Sequence, residues 1–242
     1  MDRKEFLERF IFVRKCGGCG EILPYERSRQ AFCSDCERAW LVAKAENCSE
    51  CLRVVTECTC TPKGLRGVFS LRKLIFYHPK KVKEPQNQMI YRIKHRPNKR
   101  ISEFVASELS AAVEEEICAC GFSERRQDVV IVNLPRGRRA KTLYGFDQSA
   151  LICRALSEKT GIAYVEAIGR RRGGREQKTL TGARRFVNVK GLFYVRDERA
   201  IAGKCILLVD DIVTTGASMS GCVKLLAQAG AKEILAFCIA QD

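Results

Sequence analysis

The chain has 242 residues, 43 Lys+Arg against 28 Asp+Glu, a formal net charge of +15, and 14 cysteines. A hydrophobic content of 46% is that of a chain with a buried core, which excludes wholesale disorder, and no apolar run approaches the ~18–20 residues of a membrane span. The opening MDRKEFLERF has no signal-peptide apolar region, so the chain is expected to be cytoplasmic, where cysteines serve as metal ligands or core residues, and the charge points to a polyanionic partner.

Eight cysteines fall in the first 60 residues: Cys16, Cys19, Cys33, Cys36, Cys48, Cys51, Cys58 and Cys60. They read C-x2-C three times and end in a tighter C-x-C. A C-x2-C turn brings two thiolates to one ion, and two such turns complete a closed, structural four-cysteine zinc site. Eight ligands fit two ions paired in sequence, two ions in an interleaved cross-brace, or one ion with four idle ligands. Core cysteines or a redox pair are the competing reading. Residues 1–64 carry 11 basic against 10 acidic residues, a net of +1, whereas residues 65–242 carry +14. A boundary is therefore placed at residues 61–64, where cysteine density drops and Pro and Gly mark a turn. So small a module holds little core of its own, expected from Phe32, Trp40 and Leu41, and metal would supply much of its folding energy. Its near neutrality suits a scaffold or protein contact better than nucleic acid.

Residues 65–100 carry 11 basic residues and one acid. Phe76, Tyr77, Tyr91 and His95 are interleaved with cations there, a composition that suits single-stranded nucleic acid, with core packing as the alternative for the aromatics. Neither His78 nor His95 has metal-ligand spacing. Ile101, Phe104, Val105, Leu109, Ala112, Val113 and Ile117 then follow helical spacing. Residues 128–134 (DVVIVNL) form a continuous apolar run, the mark of a strand buried on both faces. A helix is expected over 146–159, closed by Gly161, and a second strand over 163–167. Residues 170–190 carry eight basic residues and one acid. A strand over 204–209, a helix over 217–228 capped by Gly230 and a strand over 233–239 complete the chain. This alternation predicts an α/β fold, a parallel sheet with helices on both faces.

The most specific segment is ILLVDDIVTTGAS, residues 206–218. A buried strand ends in Asp210 and Asp211, and a short loop then opens a helix. Ligands of open α/β sheets bind beyond the carboxyl ends of strands, and a loop's free N–H groups at a helix start favour phosphate. Thr214, Thr215 and Ser218 add hydroxyl donors, Gly216 permits close approach, and Ala217 is small. Ionised Asp210 and Asp211 accept hydrogen bonds only, so they suit hydroxyl groups. A ribose 5-phosphate meets both halves. The competing readings are an ordinary strand–turn–helix and the acidic strand of an NTPase. The latter lacks its partner, since no G-x-x-x-x-G-K-[ST] occurs and Gly203-Lys204 is followed by Cys205.

VDDIVTTGAS resembles the phosphoribosyl-pyrophosphate (PRPP) motif of type I phosphoribosyltransferases. Nearly the whole chain resembles the ComF family, competence-associated proteins with an N-terminal zinc module and a C-terminal phosphoribosyltransferase-like domain. The marks are the Cys pairs, Ile93-Lys94 in a basic stretch, DVVIVNLP, Gly145-Phe146-Asp147-Gln148, Gln177 with Arg184, Arg185 and Asn188, and the VDDIVTTGAS loop. The resemblance implies a zinc-ribbon module over 1–64 and a phosphoribosyltransferase-like domain over 65–242. By that likeness Asp210 and Asp211 hold the ribose hydroxyls, and Thr214, Thr215 and Gly216, continued by Ala217 and Ser218, hold the 5-phosphate. Pro135, Arg136 and Gly137 lie near the pyrophosphate. The family usually has Asn where Asp147 stands, Arg in place of Tyr144, and Thr where Arg175 stands. Transfer would use Mg²⁺ with PRPP and a basic loop closing over the leaving group. Arg170, Arg171, Arg175, Gln177 and Arg184 are the catalytic candidates, and Gly173-Gly174 is a hinge. The acceptor is unknown. A second class is a non-catalytic accessory protein of DNA uptake that binds single-stranded DNA and uses PRPP as a regulator or not at all. In either, the zinc module would meet proteins of the competence machinery.

Overall fold

The computed structural model describes residues 6–7, 11, 13–80, 84–96, 98–137, 143, 145–171 and 191–242. Among them the chain forms α1 (Ser34–Lys44), β1 (Leu71–Phe76), α2 (Pro85–His95), α3 (Lys99–Ala119), β2 (Val129–Asn133), α4 (Gln148–Thr160), β3 (Ala163–Tyr164), β4 (Ile168–Arg170), β5 (Phe193–Val195), β6 (Cys205–Val213), α5 (Ala217–Gln228) and β7 (Glu233–Gln241). No described helix is long and apolar enough to cross a membrane.

Five strands pair in the order β1-β7-β6-β2-β3, every neighbour parallel, while β4 and β5 form a separate antiparallel pair. Alternation along β6 explains its unbroken apolarity. Cys205, Leu207 and Val209 enter one core, and Ile206 and Leu208 enter the other, because successive strand residues face opposite ways. The first core takes Val105, Leu109 and Val113 of α3 with Ile152 and Leu156 of α4. The second takes Met219, Cys222, Val223 and Leu226 of α5 with Ile168 and Phe193 of the small sheet. The expected α/β architecture is thus present, with helices on both faces.

The cysteine-rich segment packs on the first core rather than standing apart from it. Phe104 of α3 meets Phe32 edge-on at 5.0 Å and Trp40 at 5.5 Å between ring centroids. Trp40 Nε1 donates to Glu108 Oε2 at 3.1 Å, and Lys44 Nζ reaches the same oxygen at 2.5 Å. Arg100 donates to the carbonyls of Lys15, Ser28 and Gln30 at 3.0, 2.8 and 2.6 Å. Leu41 is not part of this core; it is 59% exposed. Helix α1 buries Cys36, Trp40 and Ala43, a stripe at helical spacing that turns Leu41 outward.

Two elements lie in the stretch expected to be a basic surface. Strand β1 buries Leu71, Leu74 and Ile75, and α2 buries Met89, Ile90 and Ile93. Lys73 of β1 is itself only 2% exposed. Its ammonium donates to the Cys60 carbonyl at 2.6 Å and to Gln241 Oε1 at 2.8 Å. Phe76 and Tyr77 are half-buried, and Tyr77 packs on the first core. Tyr91 is 64% exposed and stacks on His95, with ring centroids 4.1 Å apart.

Candidate functional site

Strand β6 runs past both carboxylates to Val213, and the loop after it delivers Gly216 to the start of α5. Two adjoining cavities open there. One, about 50 Å³, is lined by Asp210 and residues 213–219, including Thr214, Thr215, Gly216, Ala217 and Ser218. The other, about 180 Å³, is lined by Lys94, Pro135, Arg136, Gly137, Asp147, Arg170, Asp210, Asp211 and Ser218, among others. Asp210 and Ser218 border both. A larger cavity of about 690 Å³, bordered by Arg66, Phe193, Val223 and Lys224, has no carboxylate and neither loop threonine among the described residues that line it. The expected site residues that are described therefore gather around the smaller pair.

Asp210 Oδ1 accepts the Asp211 N–H at 2.8 Å, and Asp211 Oδ1 accepts the Ile212 N–H at 2.8 Å. These bonds hold the two side chains at the strand end. Burial pushes the Asp210 carboxyl well above the usual range and the Asp211 charge adds to this, with the Asp211 N–H and Lys94 acting in the opposite sense. A cation or a set of hydroxyl donors would complete the site for the ionised form.

Gly216 has φ +74°, and a Cβ there would lie 2.6 Å from Leu65 Cβ and 2.8 Å from the Leu65 backbone nitrogen. Glycine is required by the left-handed turn and by the loop at Leu65, whatever approaches from the cavity side. Thr215 Oγ1 accepts the Ala217 N–H at 3.4 Å, within the loop itself.

The opposite wall is the loop after β2. Arg136 N–H donates to Asp147 Oδ2 at 3.1 Å. Ser149 Oγ donates to the Leu134 carbonyl at 2.9 Å and also lies 2.9 Å from Asp147 Oδ1. Asp147, which stands where the resembled family has Asn, thus ties this loop to the start of α4. The Arg136 guanidinium donates to the Lys94 carbonyl at 3.0 Å and lies 5.8 Å over the Phe146 ring. Lys94, Asp147 and Ser149 were not among the expected site residues. Lys94 and Asp147 stand in two of the segments that carry the family resemblance, yet their residue types alone give neither a role at the site.

Arg170 ends β4 inside the larger of the two site cavities, and a Cβ on Gly137 would be 3.6 Å from its Cζ. Its guanidinium lies 5.5 Å over Phe193. Burial lowers its affinity for a proton, yet a guanidinium keeps its charge at any physiological pH. Arg171, the next residue, is exposed and lies 5.9 Å over Tyr194, outside the cavity lining. Arg175, Gln177 and Arg184 lie outside the described residues.

The cysteines fall into two groups in sequence order, Cys16, Cys19, Cys33, Cys36 and Cys48, Cys51, Cys58, Cys60. Within each, all sulfurs lie within 4.8 Å of one another, which sets the cross-brace aside. Cys19 and Cys33 Sγ are 3.8 Å apart, the edge of a tetrahedron with Zn–S bonds of ~2.3 Å. Amides of Gly18 and Cys33 point at Cys16 Sγ at 3.3 and 3.2 Å, and the Glu50 amide points at Cys48 Sγ at 3.4 Å. Burial opposes ionisation of Cys16, but the amides of Cys33, Cys19 and Gly18 outweigh it and bring the thiol down to about 7. Cys48 is likewise opposed by burial and brought down to about 7 by the amides of Cys51 and Glu50. Cys60 is pushed up to about 12 by burial and by the neighbouring sulfurs. The donor sets fit zinc, whose charge would relieve this crowding of thiolates.

The phosphoribosyl transferase domain family matches residues 148–242, from the start of α4 through β7. DNA utilization protein YhgH of Escherichia coli (strain K12) is 34% identical over 110 residues, 45% of this chain and 48% of that protein. YhgH of Salmonella typhimurium is 30% identical over 141 residues, 58% of this chain and 61% of that protein. The matched segment thus spans about half the length of these relatives. Competence protein ComFC of Streptococcus pneumoniae is 25% identical over 238 residues, 92% of this chain and 98% of that protein. Among solved structures, the allosteric regulatory enzyme of purine biosynthesis is 24% identical, with a TM-score of 0.32, over 46% of this chain and 21% of that one. Phosphoribosylpyrophosphate synthetase from Mycobacterium smegmatis is 18% identical, with a TM-score of 0.33, over 56% of this chain and 33% of that one. The chain thus combines a parallel sheet, a phosphoribosyl transferase match over residues 148–242 and two four-cysteine groups with similarity to proteins named ComFC and YhgH.

Proposed function

We propose that this chain binds PRPP with Mg²⁺ and transfers its phosphoribosyl group to an acceptor in the setting of DNA uptake. Residues 65–242 act as the phosphoribosyltransferase-like domain and residues 1–64 as a zinc-ribbon module. The observation that carries this reading is the pair of adjoining cavities joined at Asp210 and Ser218. Residues 213–219 of the loop line one, and Lys94, Arg136 and Arg170 line the other. A molecule with a phosphate at one end, hydroxyls in the middle and a larger anion at the other end meets each in turn.

In this reading the residues 213–218 seat the 5-phosphate and fix the ribose. Asp210 and Asp211 accept from the ribose hydroxyls, which requires Asp210 to be ionised and so to give up the proton that burial favours. Arg136 and Arg170 stand against the pyrophosphate and offset the charge that grows on it as its bond to ribose C1 stretches. Mg²⁺, held with the ligand beside Asp210 and Asp211, would supply further neutralisation of the leaving group's charge. Arg171, Arg175, Gln177 and Arg184 would close from the basic loop, as the resemblance implies. Zinc at the two cysteine groups is structural. Exposed Ile22, Leu41, Val42 and Leu52 on the module support contact with a protein partner.

A second reading, a single-stranded DNA-binding accessory role, is favoured by the exposed Tyr91–His95 stack among the cations of α2. Pyrophosphate release from Mg²⁺–PRPP, assayed across bases, amines and single-stranded DNA, separates the two. Release with one acceptor supports transfer, and binding without release supports the accessory role.

A further inference from the structure

Helix α2 touches two centres. Its buried face meets the first cysteine group, where a Cβ on Gly18 would lie 2.9 Å from Met89 Cγ and one on Gly20 would lie 2.4 Å from an Arg92 guanidinium nitrogen. Both glycines sit in the C-G-G-C-G turn that holds Cys16 and Cys19. The close approach leaves Met89 and Arg92 little room to slide on that turn, and Met89, Ile90 and Ile93 of the helix are fully buried. The last turn of the same helix ends in the candidate site. Lys94 lines the cavity that holds Asp210 and Asp211, and its carbonyl accepts from Arg136, the residue of the opposite wall.

We propose that Lys94 binds the pyrophosphate end of the ligand, and that the first four-cysteine centre sets its position through α2, so that metal and ligand occupancy are coupled. This rests on the PRPP reading above. Lys94 borders the cavity with Arg136 and Gly137 and does not border the loop cavity of residues 213–219, so its charge serves the pyrophosphate end and not the 5-phosphate. Zinc in the first centre would hold the C-G-G-C-G turn rigid. Without it the turn loses the restraint that keeps Met89 and Arg92, and with them Lys94, in place. By reciprocity a ligand that engages Lys94 makes the first centre harder to empty.

The probes are inorganic pyrophosphate and ribose 5-phosphate, each with Mg²⁺, titrated calorimetrically into the zinc-loaded full chain. Lys94→Met should weaken pyrophosphate by about tenfold or more and leave ribose 5-phosphate within about twofold. Met89→Ala, which removes packing against the cysteine turn and touches no ligand group, should weaken pyrophosphate by a few-fold in the same selective way; Arg92→Ala gives the same readout if Met89→Ala does not fold. Bound pyrophosphate should slow metal release to a chromogenic chelator in the wild-type chain and not in Lys94→Met. Equal weakening of both probes by Lys94→Met would assign Lys94 to the charge balance of Asp210 and overturn the proposal. Metal release indifferent to pyrophosphate would overturn the coupling. A wild-type chain that binds neither probe would instead sink the PRPP reading itself.

Discussion

Lys73 and Cys60 are joined by a hydrogen bond of 2.6 Å from the lysine ammonium to the cysteine carbonyl. The cation belongs to edge strand β1 and the carbonyl to the second four-cysteine group, so the sheet and the cysteine module meet at a buried charge. Burial and the neighbouring sulfurs raise the proton affinity of Cys58 in the same group, and the Lys73 charge acts against that rise. A four-thiolate zinc centre carries a formal charge of −2, and a buried ammonium beside it offsets part of that charge.

Lys73→Met keeps the aliphatic stem and removes the ammonium. It leaves the Cys60 carbonyl and Gln241 Oε1 without their donor, at a cost of roughly 1–3 kcal/mol. Denaturant unfolding should show that loss, and metal should leave the second group faster than the first. Wild-type stability together with unchanged metal release would contradict the assigned role.

Much of the fold was legible because apolar runs in β2, β6 and β7 are buried on both faces, and a run without alternation has few other homes. Helix α5 begins and ends where spacing placed it, and Gly161 closes α4 with φ +74° as expected. Strand β1 and helix α2 were hidden because Arg72, Lys73, Arg92 and Lys94 dominate their composition, while the apolar positions Leu71, Leu74, Met89 and Ile93 only reveal themselves once β7 and α1 provide surfaces to cover. Cysteine spacing announced the two groups but left their pairing open, since pairing depends on how the turns fold back. The acidic pair was readable from local sequence. Lys94 and Asp147 reach the site through tertiary contacts that no local spacing encodes.

Asp147 accepts from Arg136 N–H and bonds Ser149, so it anchors the loop opposite the acidic pair. Asp147→Ala should cost about 1–3 kcal/mol by leaving the Arg136 N–H unmatched, and should weaken pyrophosphate binding more than ribose 5-phosphate binding. Asp147→Asn, which keeps one acceptor, should fall between it and the wild type. Calorimetry and urea unfolding on the three proteins check the order.

Asp210 gives a pH prediction with a definite sign. Its folded-state proton affinity is raised above the unfolded value, so the stability it contributes is complete below the ordinary carboxylate range and is lost as pH rises through its raised value. Asp210→Asn should therefore match wild-type stability in acid and exceed it increasingly as pH rises from there. Ligand binding, which needs the ionised form, should release protons over the same window and strengthen with pH. Calorimetry in buffers of different ionisation enthalpy reads the proton count, and proton uptake on binding would refute this assignment.

Titration of Mg²⁺–PRPP into the zinc-loaded full chain, beside the double variant Asp210→Asn/Asp211→Asn, addresses the site most directly. Saturable binding by the wild-type chain that vanishes in the double variant, with both proteins folded and carrying equal zinc, is the expected result. Equal affinity in the two proteins would show that the acidic pair does not hold the ribose and that the ligand site lies elsewhere.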